Sequence, residues 1–398
     1  MDKASPFHKT IFPNGVRLVL VPMDGVNSVA TSVMVAAGSR YETPATNGIS
    51  HFLEHMVFKG TVKFPTTDDV NSIERAGGLQ NAYTDIDITS YHNKVLHTDW
   101  ELGLDINKEL ALHPRLDQKY VDMERDVIIE EMKKYEDEPS AKVGEAFHEM
   151  MYPDTALGMR IIGKESSLRA SDAQTLRQYH TEWYKPSQFV ITLAGKVSHV
   201  RSDIHKRVEE WFVKSIDTEF EGKPKRDFEK VTHDTQKKPQ LSVITKPDAH
   251  QAHLTIGVRT YHRGSQDRYG WALFNLIMGV SFTSRLFKEV REKRGLCYHV
   301  RSSSDNWADV GYWSIYAGVA TDKVSEATRA IVGELAKVAV GGITDEELSI
   351  ARKRIQTMLA FKGEDPEFLG EWYGRQELFG EPIVSVSDYL DTLEKITK

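Results

Sequence analysis

Short apolar runs bounded by turn residues alternate along this chain with longer stretches whose apolar residues recur every three or four positions. The first pattern predicts strands and the second helices. VRLVLV (residues 16–21) and SVATSVMVAAGS (28–39) predict strands, and GISHFLEHMVF (48–58) and TTDDVNSIERAG (66–77) predict helices. Two strands follow within GGLQNAYTDIDITSYHNKVL (77–96), then helices around 99–113, 117–136, 140–151 and 171–183, then the strand FVITLAG (189–195).

The order then repeats. LSVITK (241–246) and AHLTIGVRT (252–260) predict strands, and DRYGWALFNLIMG (267–279) and TSRLFKEVREKRG (283–295) predict helices. Residues 298–319 predict two strands, and helices follow near 323–338 and 344–361. The last of these opens on Thr344 and Glu347, spaced as a capping box. The repeated order predicts an α+β fold of two homologous α/β-sandwich-like domains, each an antiparallel-rich sheet with helices on one side.

Residues 221–240 are lysine-rich, hold two prolines and few apolar residues, and read as a linker. The expected division is therefore a first domain at 1–220, a linker at 221–240 and a second domain at 241–398. LDTLEKITK closes the second half with no counterpart of FVITLAG, so its last strand is expected to be missing or the sheet completed in another way.

Composition narrows the function. With 398 residues, 40% apolar and 27% charged, the chain can bury more than one core. A formal net charge of −7 and the lack of any basic run argue against nucleic acid as a partner. No stretch approaches 18 apolar residues, so no membrane span is expected. VRLVLV is too short and too late to be a signal-peptide core. Cys297 is the one cysteine and cannot form an internal disulfide, which implies a reducing compartment or a fold that needs no disulfide; with no signal peptide evident, the cytoplasm is expected.

The chemistry concentrates in GISHFLEHMVFKG (48–60). On a helix, His51 and His55 lie one turn apart on a single face, with Glu54 beside them. Two neutral imidazoles and a carboxylate suit zinc, which keeps a further position for water and lowers that water's pKa. Glu54 is then placed to accept the water's proton as general base. The order HxxEH reverses the HExxH of zincins and is that of inverzincins. The plain alternative is a polar patch on a half-buried helix, but the apolar flank of Phe52, Leu53, Met56, Val57 and Phe58 makes such a patch costly without partners.

A third ligand is expected from MERDVIIEEMKKYEDE (123–138), whose Val127, Ile128 and Met132 keep helical spacing. Glu124 and Glu131 are seven apart and share a face, so one acid can ligate while the other orients a histidine. Spacing does not choose between Glu130 and Glu131. Without HxxEH this segment reads as a charged, solvated helix.

HFLEHMVFKGT (51–61), ERDVIIEE (124–131), LQNAYTD (79–85) and SRLFKEVREKRGLCYHV (284–300) together resemble the pitrilysin-type zinc metallopeptidases. The similarity runs along essentially the whole chain. It is to the branch of the mitochondrial processing peptidase and its short bacterial relatives. The resemblance implies one Zn2+ per chain on His51, His55 and Glu131, with Glu124 in support. It implies a substrate-binding edge strand with Asn81 and Ala82 at the scissile bond, and assistance to catalysis from Arg291 and Tyr298. These roles have physical sense. A free edge can pair with an extended peptide, and an arginine and a tyrosine can grip a carbonyl and a developing oxyanion.

The two acidic residues with which the processing peptidase reads arginine in presequences correspond here to Ala141 and Glu145, so presequence specificity is not implied, and MGVSFTSRLF lacks the long glycine-rich loop of the non-catalytic processing subunit. The second half has no HxxEH, so one metal site per chain is expected. In this family four such units form a clamshell, of which this chain supplies half. A homodimer or a heterodimer with a related subunit is implied, acting as an endopeptidase on extended or unfolded peptides.

The alternative is a non-catalytic core subunit of the same fold. Metal analysis of the purified chain separates the two. One zinc per chain with chelator-sensitive peptide cleavage is expected, whereas a scaffold carries substoichiometric zinc and cleaves nothing.

Overall fold

The computed structural model describes residues 5–215, 228, 230–231, 236–247 and 249–398. Much of the expected linker at 221–240 therefore lies outside the described residues. The chain divides into two compact units. The first comprises residues 1–131, 159–228 and 361–385, and the second 132–158, 229–360 and 386–398.

The first unit is built on a six-stranded sheet of β1 (His8–Ile11), β2 (Arg17–Pro22), β3 (Ser28–Val35), β4 (Leu79–Thr84), β5 (Thr89–Leu96) and β6 (Phe189–Gly195), in the order β1-β2-β6-β3-β5-β4. Only β2 and β6 run parallel; every other pair is antiparallel. β6 is flanked on both sides, and all seven of its residues are buried. That explains its unbroken apolar run, because neither face of a central covered strand meets water.

Alternation along β5 separates the faces. Tyr91, Asn93 and Val95 are buried on one face, and His92 and Lys94 are half-buried on the other. Tyr91 hydroxyl meets Tyr184 hydroxyl at 2.8 Å, beyond the helix Ala173–Trp183. The Asn93 amide donates to Gly103 of the helix Trp100–Leu112 at 2.8 Å. Helices from the first half thus cover this face.

The opposite face is covered by the helix Pro366–Leu378, from far downstream. Its Tyr373 and Leu378 join Val19, Val21, Met34, Ala36, Ile88, Val190 and Ala194 in one apolar cluster. Tyr83 hydroxyl donates to Glu371 at 2.8 Å, and Lys94 to Asp365 at 2.7 Å.

The second unit repeats the plan with β7 (Gln251–Thr260), β8 (Cys297–Asn306) and β9 (Gly311–Ala320), in the order β7-β9-β8, all antiparallel. Trp313, Ile315, Ala317 and Val319 of β9 face Ala327, Ala330 and Ile331 of the helix Val324–Gly341. On the other face Tyr312 packs against Phe147 of the helix Pro139–Met151, their ring centroids 5.4 Å apart. The two units are similarly built, as the repeated element order predicts.

Some local expectations change. TTDDVNSIERAG breaks at Asn71 into two short helices, Thr67–Val70 and Ser72–Arg75. TSRLFKEVREKRG forms a wide π-type turn at Phe287–Lys293. LSVITK, predicted as a strand, joins no strand among the described residues and is exposed throughout. The capping box forms as predicted, with Thr344 N–H to the Glu347 carboxylate at 2.8 Å and Glu347 N–H to the Thr344 hydroxyl at 3.1 Å.

Helix Pro366–Leu378 approaches the sheet closely because Gly374 has no side chain. A Cβ there would stand 2.6 Å from Thr192 Cγ2 and 2.9 Å from Met34 Sδ. Gly374→Leu is expected to destabilise the protein by about 2 kcal/mol or more through overpacking, read as a lower urea midpoint at unchanged slope.

Candidate active site

The helix Ile49–Val57 carries two interleaved stripes. Ile49, Phe52, Leu53, Met56 and Val57 are buried, each contributing about 1.5–3 kcal/mol. That apolar stripe fixes the rotation of the helix, and the same rotation turns His51, Glu54 and His55 to the other side. Glu54 there accepts a hydrogen bond from the Thr84 hydroxyl at the end of β4, at 2.5 Å.

The helix Gln118–Asp137 brings in the acids seven residues apart. Glu131 Oε2 lies 3.6 Å from His55 Nε2 and 4.0 Å from His51 Nε2. Glu124 Oε1 lies 3.2 Å from His55 Nδ1, and Glu124 Oε2 lies 2.6 Å from Lys59 Nζ. One donor atom from each of His51, His55 and Glu131 can be chosen so that all lie within 4.8 Å of one another. Tetrahedral zinc with bonds of about 2.0–2.1 Å sets its ligand atoms about 3.3–3.4 Å apart, so this donor set fits such an ion after a small contraction.

Electrostatics favour the same use. Burial, followed by the proximity of His55, lowers the His51 pKa to about 3, which keeps its ring in the neutral form that ligates. Burial raises the Glu54 pKa; the Thr84 hydrogen bond and His55 oppose this, while Glu131 adds to it. A raised carboxylate pKa suits a group that takes and returns a proton near neutrality. For Glu124 burial again pushes upward, but hydrogen bonds from His55 and Lys59 outweigh it and lower the pKa. Glu124 therefore stays ionised and accepts the His55 Nδ1 proton, leaving Nε2 with its lone pair toward Glu131.

Asn81 is exposed on β4, with its side-chain oxygen accepting the Ala82 N–H at 2.9 Å, and Ala82 is half-buried. Among the described residues β4 pairs only with β5, so its outer edge is open. Arg291 and Tyr298 belong to the second unit. The Arg291 guanidinium lies 5.2 Å from the Tyr298 ring centroid, a cation–π contact, and Tyr298 is 80% exposed.

Sequence reasoning missed Thr84, Lys59 and above all Glu42. The Glu42 carboxylate is buried and accepts from Gly48 N–H at 2.7 Å, Ser50 N–H at 2.9 Å, Ser50 hydroxyl at 2.6 Å and the Asn47 amide at 3.0 Å. It thereby caps the first turn of the helix that carries His51. Ser50 gives its one proton to Glu42, so Tyr179 donates to Ser50 across their 2.7 Å contact. Gly48 is left-handed at φ +95°, and a Cβ there would stand 2.8 Å from Gly163 Cα. No periodicity marks Glu42, since its partners are contacts of a folded loop.

Fold and site together define an α/β protein of two similarly built units, the first bearing a His/His/Glu cluster that can chelate a metal. Comparison with known proteins agrees. Residues 18–165 match the family described as Insulinase (Peptidase family M16), and residues 171–355 match the Peptidase M16 inactive domain. A relative named as an uncharacterized zinc protease, YmxG of Bacillus subtilis, is 35% identical over 366 residues, covering 92% of this chain and 86% of its own. A second so named, from Streptomyces coelicolor, is 32% identical over 392 residues, covering 98% and 84%. The chain belongs to peptidase family M16. Its fold is shared with a protease from Helicobacter pylori, with TM-score 0.91 at 20% identity, covering 98% of this chain and 93% of that one. A peptidase M16 inactive domain from Pseudomonas fluorescens superposes with TM-score 0.87 at 18% identity, covering 98% and 92%.

Glu42→Ala would leave two backbone amides at the start of the His-bearing helix unpaired and a cavity beside them. It is expected to cost about 2–4 kcal/mol in urea unfolding and to weaken zinc affinity in a competition titration with a chromophoric chelator.

Proposed function

We propose that the protein is a zinc-dependent endopeptidase that hydrolyses peptide bonds in extended or unfolded peptides, akin to the short bacterial relatives of the mitochondrial processing peptidase. The observation that carries this reading is the convergence of His51, His55 and Glu131 donors within 4.8 Å, with Glu54 on the same helix face. Relatives named as zinc proteases support it.

His51, His55 and Glu131 would hold the ion, and Glu124 would orient His55. Bound zinc would supply Lewis-acid polarisation of the scissile carbonyl and acidification of water. Glu54 accepts the proton of the attacking water and passes it to the leaving amine. The raised pKa of Glu54 and its Thr84 hydrogen bond, which fixes the carboxylate's direction, both support that role. The substrate lies along the open edge of β4 by main-chain hydrogen bonding, with Asn81 and Ala82 beside the scissile bond. Arg291 and Tyr298 assist by gripping a carbonyl and donating to the oxyanion. They act on the zinc site of a partner chain in a homodimer, or in a heterodimer with a related subunit.

No helix among the described residues is long and apolar enough to cross a membrane, and Cys297 is free and buried. Both fit a cytoplasmic setting.

Glu54→Gln is expected to retain one zinc per chain while cleavage of a quenched fluorescent peptide falls by about 10²–10⁴-fold. Full retained cleavage would remove Glu54 from the base role, and loss of zinc would recast it as a ligand.

A further inference from the structure

The register of the second sheet sets its side chains in rows. His253 of β7, Gly318 of β9 and His299 of β8 stand opposite one another, and Thr255, Tyr316 and Arg301 form the next row. Residues two apart on a strand share a face, so both rows lie on one face. It is the face away from the core, since Ala317 and Val319, which alternate with Tyr316 and Gly318, pack inward. Gly318 leaves a gap between the two histidines. A Cβ there would meet nothing nearer than 3.4 Å, with Tyr316 Oη 3.7 Å and His253 Cε1 3.9 Å away. The result is a small pit floored by backbone.

Hydrogen-bond donors surround it. His253 Nδ1 lies 2.7 Å from the Tyr316 hydroxyl. A neutral imidazole has one N–H and a phenol one O–H, so their mutual bond uses one proton and leaves the other to donate. Burial raises the Tyr316 pKa, opposed by Arg301 and reinforced by Glu138, which keeps the phenol protonated. The His299 ring lies on the other side, its centroid 5.9 Å from that of Tyr316.

The same place gathers cations without a counter-ion. The Arg301 guanidinium lies 5.6 Å from the Tyr316 ring centroid, and that of Arg291 lies 4.7 Å from Phe287 and 5.2 Å from Tyr298. Among the described residues neither guanidinium forms an ion pair or hydrogen bond. Yet acids outnumber lysines and arginines by 58 to 51, and Arg285 and Arg294 nearby pair with Glu347 and Glu289 at 2.6 and 2.8 Å. Burial, then the charges of Arg301 and Arg291, lowers the His299 pKa, so these groups act on one another. Glu138 acts on His253 through space, but its carboxylate accepts from the Ser140 hydroxyl at 2.7 Å and pairs with neither arginine. All the groups of the pit belong to the second unit.

We propose that this pit binds a carboxylate of the peptide substrate, either an acidic side chain or the C-terminus, with Arg301 as its ionic partner and His253, Tyr316 and His299 as donors around it. The assignment rests on the peptide substrate proposed above. A guanidinium resting on a ring keeps its N–H groups at the edge, where they match the two oxygens of a carboxylate. Arg301 is three residues beyond Tyr298, about 10 Å along the strand, so the carboxylate falls about three residues from a carbonyl held by Tyr298. A lysine at that point of the substrate would meet like charge.

The test measures binding of fluorescently labelled decapeptides to the full chain by anisotropy, with chelator present to prevent cleavage. Each amidated peptide carries one glutamate, moved along successive positions, and is compared with its glutamine twin; a further peptide carries a free C-terminal carboxylate. At one position, or at the free terminus, the carboxylate is expected to tighten binding about fivefold or more. Arg301→Gln, at an exposed position, is expected to abolish that difference at unchanged thermal stability. Gly318→Ala, for which there is room, is expected to reduce it by filling the pit. The proposal is overturned if twins and free-terminus peptide bind alike or not at all, or if the preference survives Arg301→Gln. It is also overturned if inorganic phosphate alone occupies the site more tightly than the carboxylate peptide. None of these readouts requires zinc or cleavage, so the peptidase reading stands or falls separately on cleavage by the zinc-loaded protein.

Discussion

The imidazole of His55 lies between two carboxylates, hydrogen-bonded to Glu124 through Nδ1 and facing Glu131 with Nε2, and the site is organised around that arrangement. Glu124 takes Nδ1 at 3.2 Å and Glu131 approaches Nε2 at 3.6 Å. The two acids sit two helical turns apart, about 10 Å along the axis, so their side chains reach the ring from either side. Glu124 fixes the tautomer, and the free lone pair is then directed at the place where His51 and Glu131 converge. Lys59 neutralises Glu124 on its outer oxygen, which lets an ionised acid persist beside an apolar helix face.

That arrangement depends on a rigid support. Polar groups in a largely apolar setting hold their positions only when their hydrogen bonds are met elsewhere. Glu42 supplies four such bonds at the start of the His-bearing helix, and Tyr179 extends the chain of contacts through Ser50. At the other side Thr84 ties Glu54 to the end of β4. The strand edge proposed to take substrate and the base proposed to act on it are therefore held by one hydrogen bond.

The repeat gives the same plan two outcomes. In the first unit the helix after β3 is amphipathic with a polar stripe of His51, Glu54 and His55. The comparable helix of the second unit, Arg268–Asn275, carries none of these, and its Tyr269 and Leu273 are buried. Membership of peptidase family M16 accords with this asymmetry, since one family description covers the first half and the inactive-domain description covers most of the second. The strands diverge as well. Residues 241–246 have the composition of β2, and among the described residues they join no strand.

Local spacing was enough for the elements whose physics is local. The helix with His51, Glu54 and His55, the strands β2, β3 and β6, the hairpin of β4 and β5, and the capping box at Thr344 all follow from periodicities of two or 3.6 and from end signals. The sharing of a helix face by Glu124 and Glu131 follows in the same way. Spacing within the segment did not separate Glu131 from Glu130; the resemblance pointed to Glu131, and the tertiary structure brought it to the histidines, because adjacent helix positions point about 100° apart and the partner decides which is used. Tertiary structure alone placed Pro366–Leu378 on a sheet built from residues 8–195 and buried Glu42 under the first helix. Each of these rests on a contact between residues distant along the chain, and no periodicity within a single segment encodes the surface that a different segment will present to it.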